Sequence, residues 1–165
     1  MKMHYDAIIS TYFGAIAITT QATSLGEQLA IELLTSKIES SQIFNQTSTL
    51  VQRAYMQIQA YLEQPNTAFN IPFTPNGTAF QQRVWQAISQ IPAGQTLSYG
   101  QLAHSIGSGP RAVANACGAN CLPIIIPCHR VVAQNGLGGF MQSKANGLSV
   151  KKWLLQHEGI TQYGS

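Results

Sequence analysis

A chain of 165 residues fits one medium domain, or two small lobes sharing a core. Hydrophobic residues make up 45% and charged residues only 9%, which excludes a disordered chain, and no apolar run approaches a membrane span. Charge is divided unevenly: residues 1–76 carry Lys2, Lys37 and Arg53 against Asp6, Glu27, Glu32, Glu39 and Glu63, for −2, whereas residues 77–165 carry Arg83, Arg111, Arg130, Lys144, Lys151 and Lys152 against Glu158 alone, for +5.

The opening MKMHYDAIIS lacks the apolar core of a secretory leader, so none is expected. YDAIIST and FGAIAITTQ read as two strands meeting near Gly14. QLAIELLT reads as a third, weaker strand, with helix as the alternative. TSTLVQRAYMQIQAYLEQ places Leu50, Ala54, Ile58 and Leu62 at helical spacing, and Pro65 stops it. PNTAFNIPFTPN, 65–76, has three prolines and no period, and is expected to be a linker packed on the surface.

Helix punctuation sharpens after residue 76. Thr78 with Gln81 makes a capping box ahead of Phe80, Val84, Ala87, Ile88 and Ile91. Ser98 with Gln101 repeats the device before Leu102, Ala103 and Ile106, and Gly107 ends that helix. Pro110 suits the first turn of a third helix, PRAVANACGAN. Two short helices around a turn at Ser108-Gly109 form a helix-turn-helix pattern, an outline shared by many helical hairpins in enzymes. Ala112, Ala114, Ala116, Gly118 and Ala119 keep the second helix nearly bare, so it can approach a groove or a neighbouring helix closely. Arg111 projects from its first turn. A basic half of this kind points to a polyanion partner, against the plainer reading of a solvated face.

LPIIIPCHRVV, 122–132, reads as a stiff apolar strand that delivers a Cys-His-Arg trio to the edge of a core. A free thiol is only roughly 3% thiolate at neutral pH, and a neighbouring base or cation raises that fraction. On an extended strand Cys128 and His129 point to opposite faces, so their contact needs a turn or a bridging water. Glu158 is the single carboxylate of the basic half and the natural group to orient the imidazole. All three cysteines lie within 117–128, an odd number in a cramped span, which is a poor disulfide framework and suits a reducing compartment. Cys117, Cys121, Cys128 and His129 match no common zinc spacing, so no metal is expected, and Cys117 and Cys121 read as helix-packing residues.

FQQRVWQAISQIPAGQTLSYGQLA, RAVANACGAN and IPCHRVV closely resemble the O6-alkylguanine-DNA alkyltransferases, or methylated-DNA–protein-cysteine methyltransferases, over about Gly77 to Gly159. The resemblance implies an α/β N-terminal lobe over 1–76, ribonuclease-H-like, with a small antiparallel sheet plus a helix. It implies a mostly α, winged-helix-like domain over 77–165 that binds DNA and accepts the alkyl group. Cys128 would be the acceptor, with His129, through a water, and Glu158 activating it. Tyr99 would assist base flipping and protonate the leaving group, Asn120 would brace the active-site hinge, and Lys151 would lie near the base O6. Arg111 would fill the gap left by the flipped base, with Tyr99, Ala112, Ala114, Asn115 and Arg130 also on the DNA.

The implied partner is duplex DNA carrying O6-alkylguanine, entered from the minor groove, with O4-alkylthymine a further candidate. The protein would act once, as a monomer without cofactor, in the cytoplasm at a bacterial nucleoid or in a eukaryotic nucleus. A non-catalytic lesion sensor, a Cys-His-Glu hydrolase and a helix-turn-helix regulator are the competing readings. The chain departs from the family in having Phe140 where a tyrosine is usual, a longer 141–147 loop, a shorter turn before Arg111 and no cysteine in the N-terminal lobe.

Overall fold

The computed structural model describes residues 4–24, 26–72, 76–140 and 146–163. They fall into two compact units, Met1–Pro75 and Asn76–Ser165.

In the first unit β1 (Ala7–Thr11), β2 (Gly14–Thr23), β3 (Gly26–Leu34) and β4 (Gln42–Ile43) form an antiparallel sheet in the order β3-β2-β1-β4. The ambiguous third segment is a strand, because Leu29, Ile31 and Leu33 alternate into the core with period two. Gly14 is obligatory at the first turn: its φ is +144°, and a Cβ there would lie 2.1 Å from the Leu34 carbonyl oxygen. α1 (Thr49–Glu63), capped by Ser48, packs on β1 and β2. Its buried face is Val51, Ala54, Ile58 and Tyr61, rotated from the Leu50–Leu62 stripe we expected, since Leu50 and Leu62 stay half-exposed. Residues 65–72 run back along this helix. Asn70 and Gln57 exchange two hydrogen bonds, and Phe69 lies against the Tyr61 ring. The short β4 had no sequence signal.

In the second unit α2 (Ala79–Ile88) and α3 (Tyr99–Ser105) both begin with complete capping boxes, Thr78 with Gln81 and Ser98 with Gln101. α4 (Pro110–Gly118) follows a turn, with Pro110 in its first turn. Trp85 of α2 is buried and donates from Nε1 to the Ala116 carbonyl at 2.9 Å, tying α2 to the end of α4. Arg83 donates to the Ile106 carbonyl at 2.6 Å and ties α2 to the end of α3.

The apolar run Leu122–Cys128 is not the strand we expected. Ile126 N–H returns to the Leu122 carbonyl, and Ile124 sits at a left-handed φ of +76°. Pro127 at φ −80°, ψ 67° forms an inverse γ-turn closed by Cys128 N–H to the Ile126 carbonyl at 2.8 Å. Two prolines remove the donors a strand would need. Cys128–Arg130 is then one turn of 3-10 helix, and β6 (Val131–Val132) pairs in parallel with β5 (Leu97–Ser98). That pairing sets the start of α3, and so Tyr99, beside the segment leaving Cys128. α5 (Gly147–His157) closes the unit. The 141–145 part of the expected long loop lies outside the described residues.

Candidate active site

The compact turn after α4 works as a bracket around one sulfur. Asn120 Nδ2 donates to the Ile126 carbonyl and to Cys128 Sγ, both at 2.9 Å, while its Oδ1 accepts from Leu122 N–H at 2.8 Å. One amide therefore ties both ends of the turn and aims a hydrogen at the thiol. Cys128 is buried, and its Sγ also lies 3.8 Å from the Cys117 carbonyl. Cys117 is not the simple packing residue we expected, because its side chain hydrogen-bonds with that of Cys128. Cys121 is exposed.

We expected a thiol made more acidic by its surroundings. The resting site instead holds Cys128 well above the ordinary value, through the Cys117 hydrogen bond first, then burial and the Cys117 charge, with Asn120 and Lys151 opposing. The two thiols share one site, and two anions there would repel. Cys117 is correspondingly lowered by the hydrogen bond from Cys128 and by Lys151, against burial.

His129 and Glu158 form a second, fully enclosed cluster next to the thiol. His129 Nε2 meets Glu158 Oε2 at 2.6 Å, with both side chains inaccessible to water. Burial holds the imidazole below its ordinary value despite that carboxylate. A neutral ring that gives its Nε2 hydrogen to Glu158 must present Nδ1 as an acceptor. Nδ1 is buried and meets no protein donor or acceptor.

Arg130 completes the cluster and is a correction to our DNA-contact assignment. Its Nε and NH2 donate to the two Glu158 oxygens at 2.9 and 3.0 Å, and NH1 donates to the Ile91 carbonyl at 2.7 Å. It points inward because the 3-10 turn leaves no exposed position for it, and its charge neutralises the buried carboxylate.

Lys151 is also buried. Its ammonium donates to the carbonyls of Val131, Leu137 and Gly139 at 2.8, 2.5 and 3.0 Å. It lies 5.7 Å from the centre of the Tyr99 ring and 6.0 Å from that of Phe140. Burial lowers it to about 8, with Cys117 and Cys128 pulling the other way. Tyr99 donates weakly to the Gly139 carbonyl at 3.5 Å, and burial followed by the two cysteines pushes its phenol to about 12. Tyr99 thus keeps its proton at neutral pH. Gly138, at φ +76°, lets the chain pass so closely that a Cβ would lie 2.8 Å from the Tyr99 ring.

On α4, Arg111 and Asn115 are exposed, while Ala112 and Ala114 are half-buried with no bulk beyond the backbone. The second unit therefore gathers Tyr99, Asn120, Cys128 and Lys151 at one place and His129, Arg130 and Glu158 beside it. Sequence reasoning missed Cys117, Trp85 and Gly138. Only the glycine pair at 138–139 carried a local signal. Among the described residues no cluster of three His, Cys, Asp or Glu could hold a metal ion.

Residues 79–160 match the family described as 6-O-methylguanine DNA methyltransferase, DNA binding domain. A methylated-DNA–protein-cysteine methyltransferase of Methanosarcina acetivorans is 39% identical over 78% of each chain. The bifunctional transcriptional activator and DNA repair enzyme Ada of Escherichia coli is 48% identical over 66% of this chain, but the match spans only 30% of that longer protein. Among solved structures, Mycobacterium tuberculosis OGT in complex with DNA is similar with a TM-score of 0.72, at 34% identity, over 95% of this chain and 93% of that one.

Proposed function

The chain belongs to the methylated-DNA–protein-cysteine methyltransferase family, and from that premise we propose that it repairs DNA by taking an alkyl group from guanine O6 onto Cys128. The observation that carries the proposal is the buried Cys128 thiol beside a histidine whose Nε2 is occupied by Glu158 at 2.6 Å. A side chain cannot reach O6 inside a duplex, so the alkylguanine turns out into the site. Arg111 at the start of α4 enters from the minor groove and fills the gap, and the small Ala112 and Ala114 permit the close approach. Asn115 touches the backbone nearby.

The resting thiol is neutral, so its proton must leave as the substrate reacts. His129 Nδ1 is the acceptor, through a bridging water, and the resulting imidazolium is stabilised by Glu158. The Cys128 sulfur attacks the alkyl carbon as the carbon–O6 bond breaks. The electron pair passes to the purine, and Tyr99 supplies its proton. Lys151 positions the 131–139 wall behind the base rather than entering the chemistry, since its three hydrogens are already engaged. A thioether has no leaving group that water displaces readily, so each molecule acts once.

At the scale of the fold, the reading extends to a ribonuclease-H-like first lobe and a winged-helix-like second domain acting as a monomer. Three free thiols suit the cytoplasm or a nucleus. A lesion sensor without chemistry would have no use for an acceptor cysteine. Incubation with a duplex carrying O6-methylguanine should add one methyl to the peptide holding Cys128, by intact and peptide mass. Cys128→Ser should take none. Many substrates turned over per protein, or a methylated Cys128→Ser variant, rejects the proposal.

A further inference from the structure

The second thiol at the acceptor has no part in the alkyl transfer described above. Cys117 lies in the last turn of α4, half-buried, and its side chain hydrogen-bonds with that of Cys128, whose Sγ is 3.8 Å from the Cys117 carbonyl. Asn120 fixes the Cys128 side of this contact through the turn it braces. We propose that Cys117 and Cys128 are a redox pair that closes into a reversible disulfide and withdraws the acceptor sulfur from alkyl transfer.

Cys117 is the accessible member and meets an oxidant first. It is also the more acidic, because Cys128 donates to it and the Lys151 ammonium favours its anion. With hydrogen peroxide as oxidant, the Cys117 thiolate attacks one oxygen and the O–O bond breaks. The hydroxide released takes a proton and leaves as water, giving a sulfenic acid. The Cys128 sulfur then attacks the Cys117 sulfur, and the sulfenic oxygen departs as a second water with the Cys128 proton. The two thiols lose two electrons and the peroxide gains them. A dithiol reverses the bond through a mixed disulfide. The pairing would spare Cys128 from the sulfinic state, which thiols do not repair.

The loss of function rests on Cys128 being the acceptor; the bond itself does not. The full chain, treated with dilute peroxide, should lose the mass of two hydrogens. It should yield a non-reducible-map cross-link between the Cys117 and Cys128 peptides, and lose methyl uptake in proportion. Dithiothreitol should restore uptake. Cys121→Ser should behave as the parent, whereas Cys117→Ser should gain oxygen on Cys128 that dithiothreitol does not remove. A parent protein that takes up methyl but collects oxygen on Cys128 without a cross-link overturns the pairing. A Cys117–Cys128 cross-link with methyl uptake intact overturns the switch and traces the failure to the acceptor assignment.

Discussion

His129 and Glu158 occupy the site's driest corner, and their burial gives two residue-level predictions. The folded imidazole titrates below its ordinary value of 6.5, so between those two pH values the unfolded chain binds more protons than the folded one. Stability contributed by the neutral ring is therefore complete above about 6.5 and is lost as pH falls through the depressed folded value. Urea midpoints measured downward from neutral pH should fall through that window, and His129→Asn should flatten the slope. Glu158→Gln removes the charge that neutralises Arg130. Breaking a buried pair in this way costs about 3–5 kcal/mol. It also leaves His129 without its anion, which should slow methyl uptake by about 10- to 100-fold, less than full loss of a base. Unchanged stability together with an unchanged rate–pH profile would remove Glu158 from the relay.

The elements differ in how far their sequences announced them. Both capping boxes were legible because Thr78-Gln81 and Ser98-Gln101 satisfy backbone donors locally, with no help from the rest of the fold. The Cys128–His129–Glu158 grouping was legible from the resemblance and from the scarcity of carboxylates. Leu122–Cys128 was misread because apolar residues suit a strand and a tight buried turn equally well. The left-handed Ile124 and the Asn120 bracket that decide between them are long-range facts. Arg130 was misread for a similar reason, since an arginine beside a DNA-reading motif can serve the fold instead. Gly138 shows how narrow the tolerance is at the 131–139 segment. In Gly138→Ala, the left-handed backbone costs about 1–2 kcal/mol, and the new methyl must displace the Tyr99 ring or Ala133. The variant should melt earlier and transfer methyl more slowly. Gly136→Ala, where a Cβ meets nothing within 4 Å, should stay near the parent in both. Equal behaviour of the two variants would mean that Tyr99 is not held by this wall.

For the molecule as a whole, the charge division narrows once burial is taken into account. The second unit carries six cations, yet Arg130 is spent on Glu158 and Lys151 on three carbonyls, both out of solvent. Arg83, Arg111 and Lys152 remain outside the core, with Lys144 in the 141–145 segment beyond the described residues. The first unit is net negative and adds no pull on phosphate. Each neutralised phosphate contributes about −0.9 to the slope of log K against log salt, so three or four contacts give a slope of only about −3 to −4. Binding should then rest more on α4 fitting the groove and on the extruded base than on charge. Anisotropy titrations of a lesion duplex across a salt series would measure the slope directly. Arg111→Ala should make it shallower by about one unit, as one lost cation requires. The same change should weaken lesion-duplex binding far more than it slows transfer from free O6-methylguanine, because the free base leaves no gap to fill. A parent slope steeper than about −6 would require cations that this second unit does not expose.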